Sequence, residues 1–365
     1  MDENGAAGAR SEEEVLDAIE ARRRRPRRKV LDEQITLSHG AGGKSSHDLV
    51  EALFLRELRN PLLEPLTDSA VLDRGTERLA FTTDSFVVRP LFFPGGDIGE
   101  LAVNGTINDL AMAGAQPIAL SAGFIVEEGL PVADLDRIVS SMATAAEAAG
   151  AQVATGDTKV VERGKADGLY INTSGVGAIA NDLDLGPGSI RAGDRVLVSG
   201  AIGDHGMAIM IARGELELEV DLDSDTAPLN GLVAALLEAT DGVRCLRDPT
   251  RGGLATVLAE LALSAELGIS IDEAALPIRP EVNGACEILG IDPLYVANEG
   301  KLAAVVSPEA EEAALAAMRA HPLGSDAAVV AEVRPDPPGL VLLETSFGGS
   351  RVVDMLAGDP LPRIC

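Results

Sequence analysis

Tryptophan is absent and tyrosine occurs only twice in 365 residues; aromatics make up 2% of the chain. Basic residues are also short, 30 against 58 acids, for a formal charge of −28. Nucleic-acid binding calls for a basic face and stacking aromatics, so no nucleic-acid partner is expected. No apolar run approaches the ~20 residues of a membrane-spanning helix, so no membrane partner is expected either. The basic N-terminal stretch is followed by Val30-Leu31-Asp32-Glu33 rather than an apolar core, which argues against a secretory signal. Cysteine is scarce: Cys245, Cys286 and Cys365 cannot pair completely and show no CxxC spacing, which fits a reducing cytoplasm. Four scattered histidines argue against a zinc cluster. Lysine occurs at only five positions, 29, 44, 159, 165 and 301. In a chain that prefers arginine, the lysines kept inside motifs, at 44, 159 and 301, point to specific roles.

What is present is a chain that is 46% apolar, long enough at 37.7 kDa for two cores. Residues 1–29 form a charged extension, net +1, ending in the block Arg22-Arg23-Arg24-Arg25-Pro26-Arg27-Arg28-Lys29. A like-charge block of this kind reads as a solvated, disordered tail. The body alternates strand and helix patterns, an α/β (α+β) reading with two domains, 30–181 and 182–345, divided at the Gly-, Pro- and Asp-rich segment from 182 to 193. Strands are expected at Gln34–Leu37, Leu79–Thr83, Gln152–Thr155, 169–179, Arg195–Ser199, Val243–Leu246, Tyr295–Ala297, Leu302–Val306, 329–333 and 340–343. Helices are expected at 97–113, 132–149, Met207–Arg213, Leu254–Leu267 and 308–319. Residues 346–365 hold too many breakers for regular structure and are expected to be a flexible tail carrying the terminal cysteine.

Several runs carry chemistry. His39-Gly40-Ala41-Gly42-Gly43-Lys44-Ser45 is a glycine-rich turn with a lysine, suited to phosphate oxygens. It is not a P-loop, because Ser38 stands where that pattern needs glycine; a plain turn before a helix reads equally well. Asp84, Asp109 and Asp157 stand at expected element ends beside glycine-rich runs, Asp157 in an expected Gly156-Asp157 turn after the strand Gln152–Thr155. Carboxylates so placed suit Mg²⁺, which takes oxygen ligands together with substrate phosphates. Within helix 97–113 the polar residues Asp97, Asn104 and Asn108 recur at near-helical spacing, so they must face solvent, a partner or a ligand. Arg247-Asp248-Pro249-Thr250-Arg251-Gly252-Gly253 sits between a strand and a helix, Gly203-Asp204-His205-Gly206 opens another helix, and Asn298-Glu299-Gly300-Lys301 reads as a hairpin. His205 is read there as a turn residue rather than a base.

Cys365 is the last residue, and a prenylation signal would need its cysteine four from the end. A thiol on a proline-bearing arm is a nucleophile or a carrier of a covalent group, and exposure would keep its pKa near ~8.5.

Taken together, HGAGG (39–43), TTDSFVV (82–88), NGTINDLAMAGAQP (104–117), GDTKVV (156–161), RDPTRGG (247–253), NEGK (298–301) and PRIC (362–365) resemble the HypE family of hydrogenase maturation proteins. The resemblance covers roughly residues 34–365, and the terminal PRIC is its most specific element. Several of the runs are shared by the wider superfamily of aminoimidazole ribonucleotide synthetase, selenophosphate synthetase and thiamine-monophosphate kinase. The basic extension lies outside the family pattern.

The resemblance implies a homodimer whose N-terminal domains form a barrel across the pair, with Mg-ATP near the cleft. It implies ATP-dependent dehydration of a carbamoyl group on Cys365 to a thiocyanate. The carbamoyltransferase HypF would load the group, and the HypC–HypD complex would receive the cyanide for a nickel–iron hydrogenase. On that reading Asp84, Asp109, Asp157 and Asp248 hold magnesium, and Gly42, Gly43, Lys44, Asn108 and Thr158 contact ATP. Lys159 and Glu299 assist proton removal, with the base left open between them. Two alternatives stand beside it: a superfamily kinase or synthetase acting on a free small molecule, and a scaffold that binds nucleotide without turnover.

Overall fold

The computed structural model describes residues 34–365 apart from 74, 76, 181, 182, 215–220, 357, 359 and 360. The charged extension 1–29, the start of the expected boundary at Asp182, and Pro360 lie outside the described residues.

The first half builds a five-stranded sheet in the order β1 (Ala70–Asp73), β2 (Arg78–Phe86), β7 (Leu169–Ile179), β5 (Ala115–Glu127), β6 (Val153–Val161). Every pairing is antiparallel except β5 with β6. The short β3 (Phe92–Phe93) and β4 (Gly96–Asp97) pair with each other. Helices Ile98–Met112 and Val132–Ala148 cover one face. The first starts at Asp97, whose side chain accepts the amides of Gly99 at 2.8 Å and Glu100 at 3.1 Å, a standard N-cap. It is apolar nearly all round and is buried on all sides, as such a helix must be. Phe86, Leu120, Leu169 and Ile171 of the sheet pack against Leu101, Ile107, Ile138 and Met142 of the helices.

The second half builds a seven-stranded sheet in the order β14 (Ser350–Val353), β13 (Val341–Glu344), β10 (Gly268–Asp272), β12 (Ala328–Arg334), β8 (Arg195–Val198), β11 (Ala303–Val306), β9 (Val243–Arg247). Helix Gly253–Ala265 fills one core with Val196, Val198, Ile271 and Val305. Helices Asn230–Ala239 and Glu311–Ala320 fill another with Leu197, Leu246 and Val306. The halves are not independent: Met207, Ile209, Leu361, Ile364 and Cys365 join the core of the first domain.

Five expectations are corrected. Gln34–Leu37 is not a strand; Ile35 and Leu37 are exposed and unpaired in a sheet, and a 3₁₀ turn follows at Leu37–Gly40. Gly156-Asp157 is not a turn but the middle of β6. A Cβ at Gly156 would lie 2.4 Å from the Ala122 carbonyl, so glycine there serves the close approach of two strands. Tyr295–Ala297 is not a strand, because Pro293–Tyr295 winds into a 3₁₀ turn, and Asn298-Glu299-Gly300 is a buried loop rather than a hairpin. The tail after Ser346 holds strand β14 and then docks, as described below. Helices Asn230–Ala239 and Pro280–Leu289 and strand β10 went unread in the sequence. Among the described residues the five-stranded sheet does not close into a barrel, and no helix is long and apolar enough to cross a membrane.

Candidate active site

A cavity of about 290 Å³ opens between the two sheets, lined by Asp68, Thr82, Asp84, Asp109, Asp248 and Glu299 among others. Alternation along β2 buries Ala80, Thr82 and Phe86 on the helix side, and Asp84 follows on that same face. Asp109 comes from helix Ile98–Met112, Asp248 from the turn after β9, and Glu299 from the loop before β11. Asp68, Asp109 and Asp248 each offer a carboxylate oxygen, all within 4.8 Å of one another. The Thr82 hydroxyl lies 2.6 Å from Asp109 Oδ2 and 2.9 Å from the Asp68 carbonyl. Arg247 pairs with Asp68 at 2.9 Å and with Glu260 at 3.1 Å.

So many buried acids repel one another. Burial, then the charges of Asp248, Asp68 and Asp84, raises the Asp109 pKa well above the carboxylate range. Burial and Asp68 push Asp248 up to about 7. Burial followed by Asp84, Asp248 and Asp225 does the same to Glu299, which Arg251 partly opposes. An oxygen-only donor set that is short of positive charge fits a hard divalent cation such as Mg²⁺.

Glu299 is fixed through its backbone. Its amide donates to Asp225 Oδ1 at 2.9 Å, and its carbonyl accepts from Asn108 Nδ2 at 3.0 Å. Asn108 also donates to the Ala227 carbonyl at 3.1 Å and accepts the Leu229 amide at 2.8 Å. The polar stripe on this helix therefore faces the other domain. Asn108, expected at ATP, is instead spent on the strap 222–229 and on Glu299, because both its amide hydrogens and its oxygen are engaged there.

The tail arrives beside this cavity. The Val87 amide donates to the Cys365 carbonyl at 3.0 Å and the Arg89 amide to the Arg363 carbonyl at 3.2 Å, a strand-like pairing that prolongs β2. The Arg363 guanidinium donates to the Val87 carbonyl at 3.1 Å and pairs with Asp167. Arg213 donates to the Arg363 carbonyl at 2.6 Å and the Arg89 carbonyl at 2.8 Å. Leu361, Ile364 and Cys365 are buried. The expected mobile, exposed thiol is thus corrected: backbone pairing and two buried aliphatic side chains outweigh the prolines. Asp84 and Val87 are three residues apart, roughly 10 Å at strand rise. Arg251 stands between, lining both the acid cavity and a smaller one of about 50 Å³ that holds Cys365. Its guanidinium is held protonated first by the charge of Cys365 and then by Asp84, Glu299 and Asp109.

The other expected residues fall apart. Gly42, at φ +75°, lines the acid cavity, and a Cβ there would sit 2.6 Å from that of Arg251. Gly43 packs on the Leu356 backbone instead, and the Lys44 amide donates to the Leu356 carbonyl at 2.8 Å. Asp157, Thr158 and Lys159 are exposed on edge strand β6, where Asp157 pairs with Lys159. Three strand steps, ~14 Å, separate β6 from β2. The row Asp84–Thr173–Ala122–Gly156 also leaves Asp157 one residue out of step, on the opposite face. Within one chain they do not reach the cavity. Asp68 and Arg251 were missed as site residues. Arg251 lay in a run already singled out, whereas Asp68 in Thr67-Asp68-Ser69 carries no local signal.

Residues 66–179 match the N-terminal domain, and residues 191–342 the C-terminal domain, of the AIR synthase related proteins. The two-domain α/β fold is that of this class. The chain is 55% identical over 331 residues to the carbamoyl dehydratase HypE of Azotobacter vinelandii, covering 91% of this chain and 97% of the relative. It is similar to HypE solved in complex with HypF (48% identity, 84% of this chain and 99% of that one, TM-score 0.81). It is also similar to HypE solved in complex with ATP (47% identity, 91% and 100%, TM-score 0.77). The chain belongs to the HypE family of carbamoyl dehydratases, ATP-dependent enzymes of hydrogenase maturation.

Proposed function

We propose that the acid-lined cavity receives the triphosphate of ATP and that the carbamoyl group carried on Cys365 is dehydrated at its Arg251 wall. The observation that carries this reading is the docked tail: Cys365 lies in a cavity that shares Arg251 with the one lined by Asp84, Asp109, Asp248 and Glu299. A magnesium ion held by Asp68, Asp109 and Asp248, with Asp84 alongside, would neutralise phosphate oxygens.

The chemistry balances with ATP alone. The carbamoyl oxygen attacks the γ-phosphorus and ADP leaves. The C–O bond then breaks, phosphate departs with that oxygen, and both N–H protons are lost as the nitrile forms on sulfur. Arg251 orients the carbamoyl group and offsets charge at the transferring phosphoryl. Glu299 is the proton acceptor, since burial and the neighbouring acids raise its pKa well above the carboxylate range and so make it a stronger base than an ordinary carboxylate.

A second copy of the chain completes the site on this reading. The open face of the five-stranded sheet exposes Phe81 and Ile125, and β6 is exposed along nearly its whole length, an edge that proteins do not usually leave bare. A homodimer through this sheet would bring Asp157, Thr158 and Lys159 to the partner's cavity, where Lys159 could assist proton removal. The relative solved with HypF supports HypF as the protein that loads Cys365; the HypC–HypD complex is the acceptor that the sequence resemblance implies. The test is mass spectrometry of the C-terminal peptide after incubation with HypF, a carbamoyl donor and ATP. Loss of one water from carbamoylated Cys365, only with ATP, is expected; a carbamoyl adduct that persists with ATP overturns the reading.

A further inference from the structure

His205 opens helix Asp204–Ala212 and is completely buried. Its ring meets Phe93 edge to face, centroids 5.8 Å apart. Nδ1 lies 2.8 Å from Ser224 Oγ and Nε2 lies 2.6 Å from the carbonyl oxygen of Ile364, the residue before the terminal cysteine. The partners settle the hydrogens. Ser224 Oγ accepts the Thr226 amide at 3.1 Å, which leaves its own hydrogen for Nδ1. A carbonyl only accepts, so Nε2 carries the hydrogen, and the two assignments agree on one neutral tautomer. Burial favours that neutral ring, against the charge of Asp225 and the bond to Ile364.

We propose that His205, oriented by Ser224, is the positioning residue that seats the Cys365 tail for reaction. The proposal rests on the reading that Cys365 carries the reacting group. Among the described residues that donate to the carbonyls of Arg363, Ile364 and Cys365, Val87, Arg89 and Arg213 keep some exposure, whereas His205 is fully buried. Its bond is therefore the one least open to exchange with water. The strap that holds Ser224 also holds Asp225, which accepts the Glu299 amide and pairs with Lys301 at 3.2 Å. One short segment thus registers both the tail and Glu299, so seating the tail on His205 sets the thiol against the cavity.

The test is alkylation of the full-length protein by N-ethylmaleimide, read peptide by peptide, with buried Cys245 and Cys286 as internal controls. His205→Leu is expected to label Cys365 about tenfold faster than the wild type, the size of one buried hydrogen bond. His205→Gln, which still donates from its amide, is expected to recover part of the protection, and Ser224→Ala to fall between. Carbamoyl-dependent ATP turnover should lose kcat in the same order with KM for ATP unchanged. If His205→Leu also uncovers Cys245 and Cys286, it has unfolded and the other two variants decide. Wild-type labelling of Cys365 in both His205→Leu and Ser224→Ala, or His205→Gln no better than His205→Leu, overturns the proposal. Labelling needs no carbamoyl chemistry, so a Cys365 that is never dehydrated defeats the proposed function while leaving this result standing.

Discussion

β2 and β6 belong to one sheet, and each carries an aspartate within a polar run, yet they share almost nothing else. β2 is paired on both sides and turns Asp84 toward the helices and the cleft. β6 is paired on one side only and turns Asp157 and Lys159 outward, into solvent. The two runs look alike in sequence because both need small and polar residues beside a strand. What separates them is strand order and a one-residue step in register, which neither run encodes. An aspartate on a sheet edge becomes part of a site only if something covers that edge.

The largest effect expected on this contrast is at the tail. Removing Cys365 should abolish thiocyanate formation outright, measured by mass spectrometry, while substitutions of Cys245 or Cys286 should not. Burial pushes the Cys245 thiol up to about 12 and Cys286 up to about 11, so neither substitutes as a nucleophile. Next, Asp109→Asn or Asp248→Asn should cost about 10²–10³ in ATP turnover, as losing one electrostatic stabiliser does. Near-normal rates in both would remove the cation site.

A mixed dimer sharpens the comparison of β2 with β6. A chain bearing Lys159→Ala but an intact tail is combined with a chain lacking Cys365 but keeping Lys159. If β6 serves the partner's cavity, the mixed species should regain up to about half the wild-type rate, one working site of two. If Lys159 acts only within its own chain, the mixture stays inactive.

The smallest effect is on stability. Burial raises the pKa of Asp68, lifts that of Asp109 well above the carboxylate range and brings that of Asp248 to about 7. Between their ordinary values and these, the folded chain holds protons that the unfolded chain has released. The contribution of this cluster to stability without added metal therefore falls as pH rises from about 4 through about 7. Magnesium should raise Tm at pH 8, where the carboxylates are free to bind it, and less at pH 5. Asp248→Asn should flatten the pH dependence and blunt the magnesium response. A Tm that rises with pH in the metal-free wild type would contradict the cluster.

Much of the architecture was legible in the sequence. Helix Val132–Ala148 and strand β7 carry their periods openly, and Leu169–Ile179 falls where the pattern sets it. The errors have physical causes. Glycine in β6 reads as a turn, but serves close strand contact. Prolines after Ser346 read as mobility, but the tail recovers its backbone bonds from Val87 and Arg89. Asn108 reads as a ligand contact, but a buried amide is as well satisfied by a neighbouring backbone.

The sequence by itself determined the residue types the chemistry requires, the terminal cysteine, the acids and the glycine-rich turns, because motifs and periodicity are local. Only the tertiary structure decided which of them meet. It gathered Asp68, Asp109 and Asp248 from positions up to 180 residues apart, placed Arg251 between Cys365 and Glu299, and left Asp157 and Lys159 outside. Convergence of that kind depends on strand order, register and the packing of two domains on a shared core, and these are properties of the whole chain rather than of any segment.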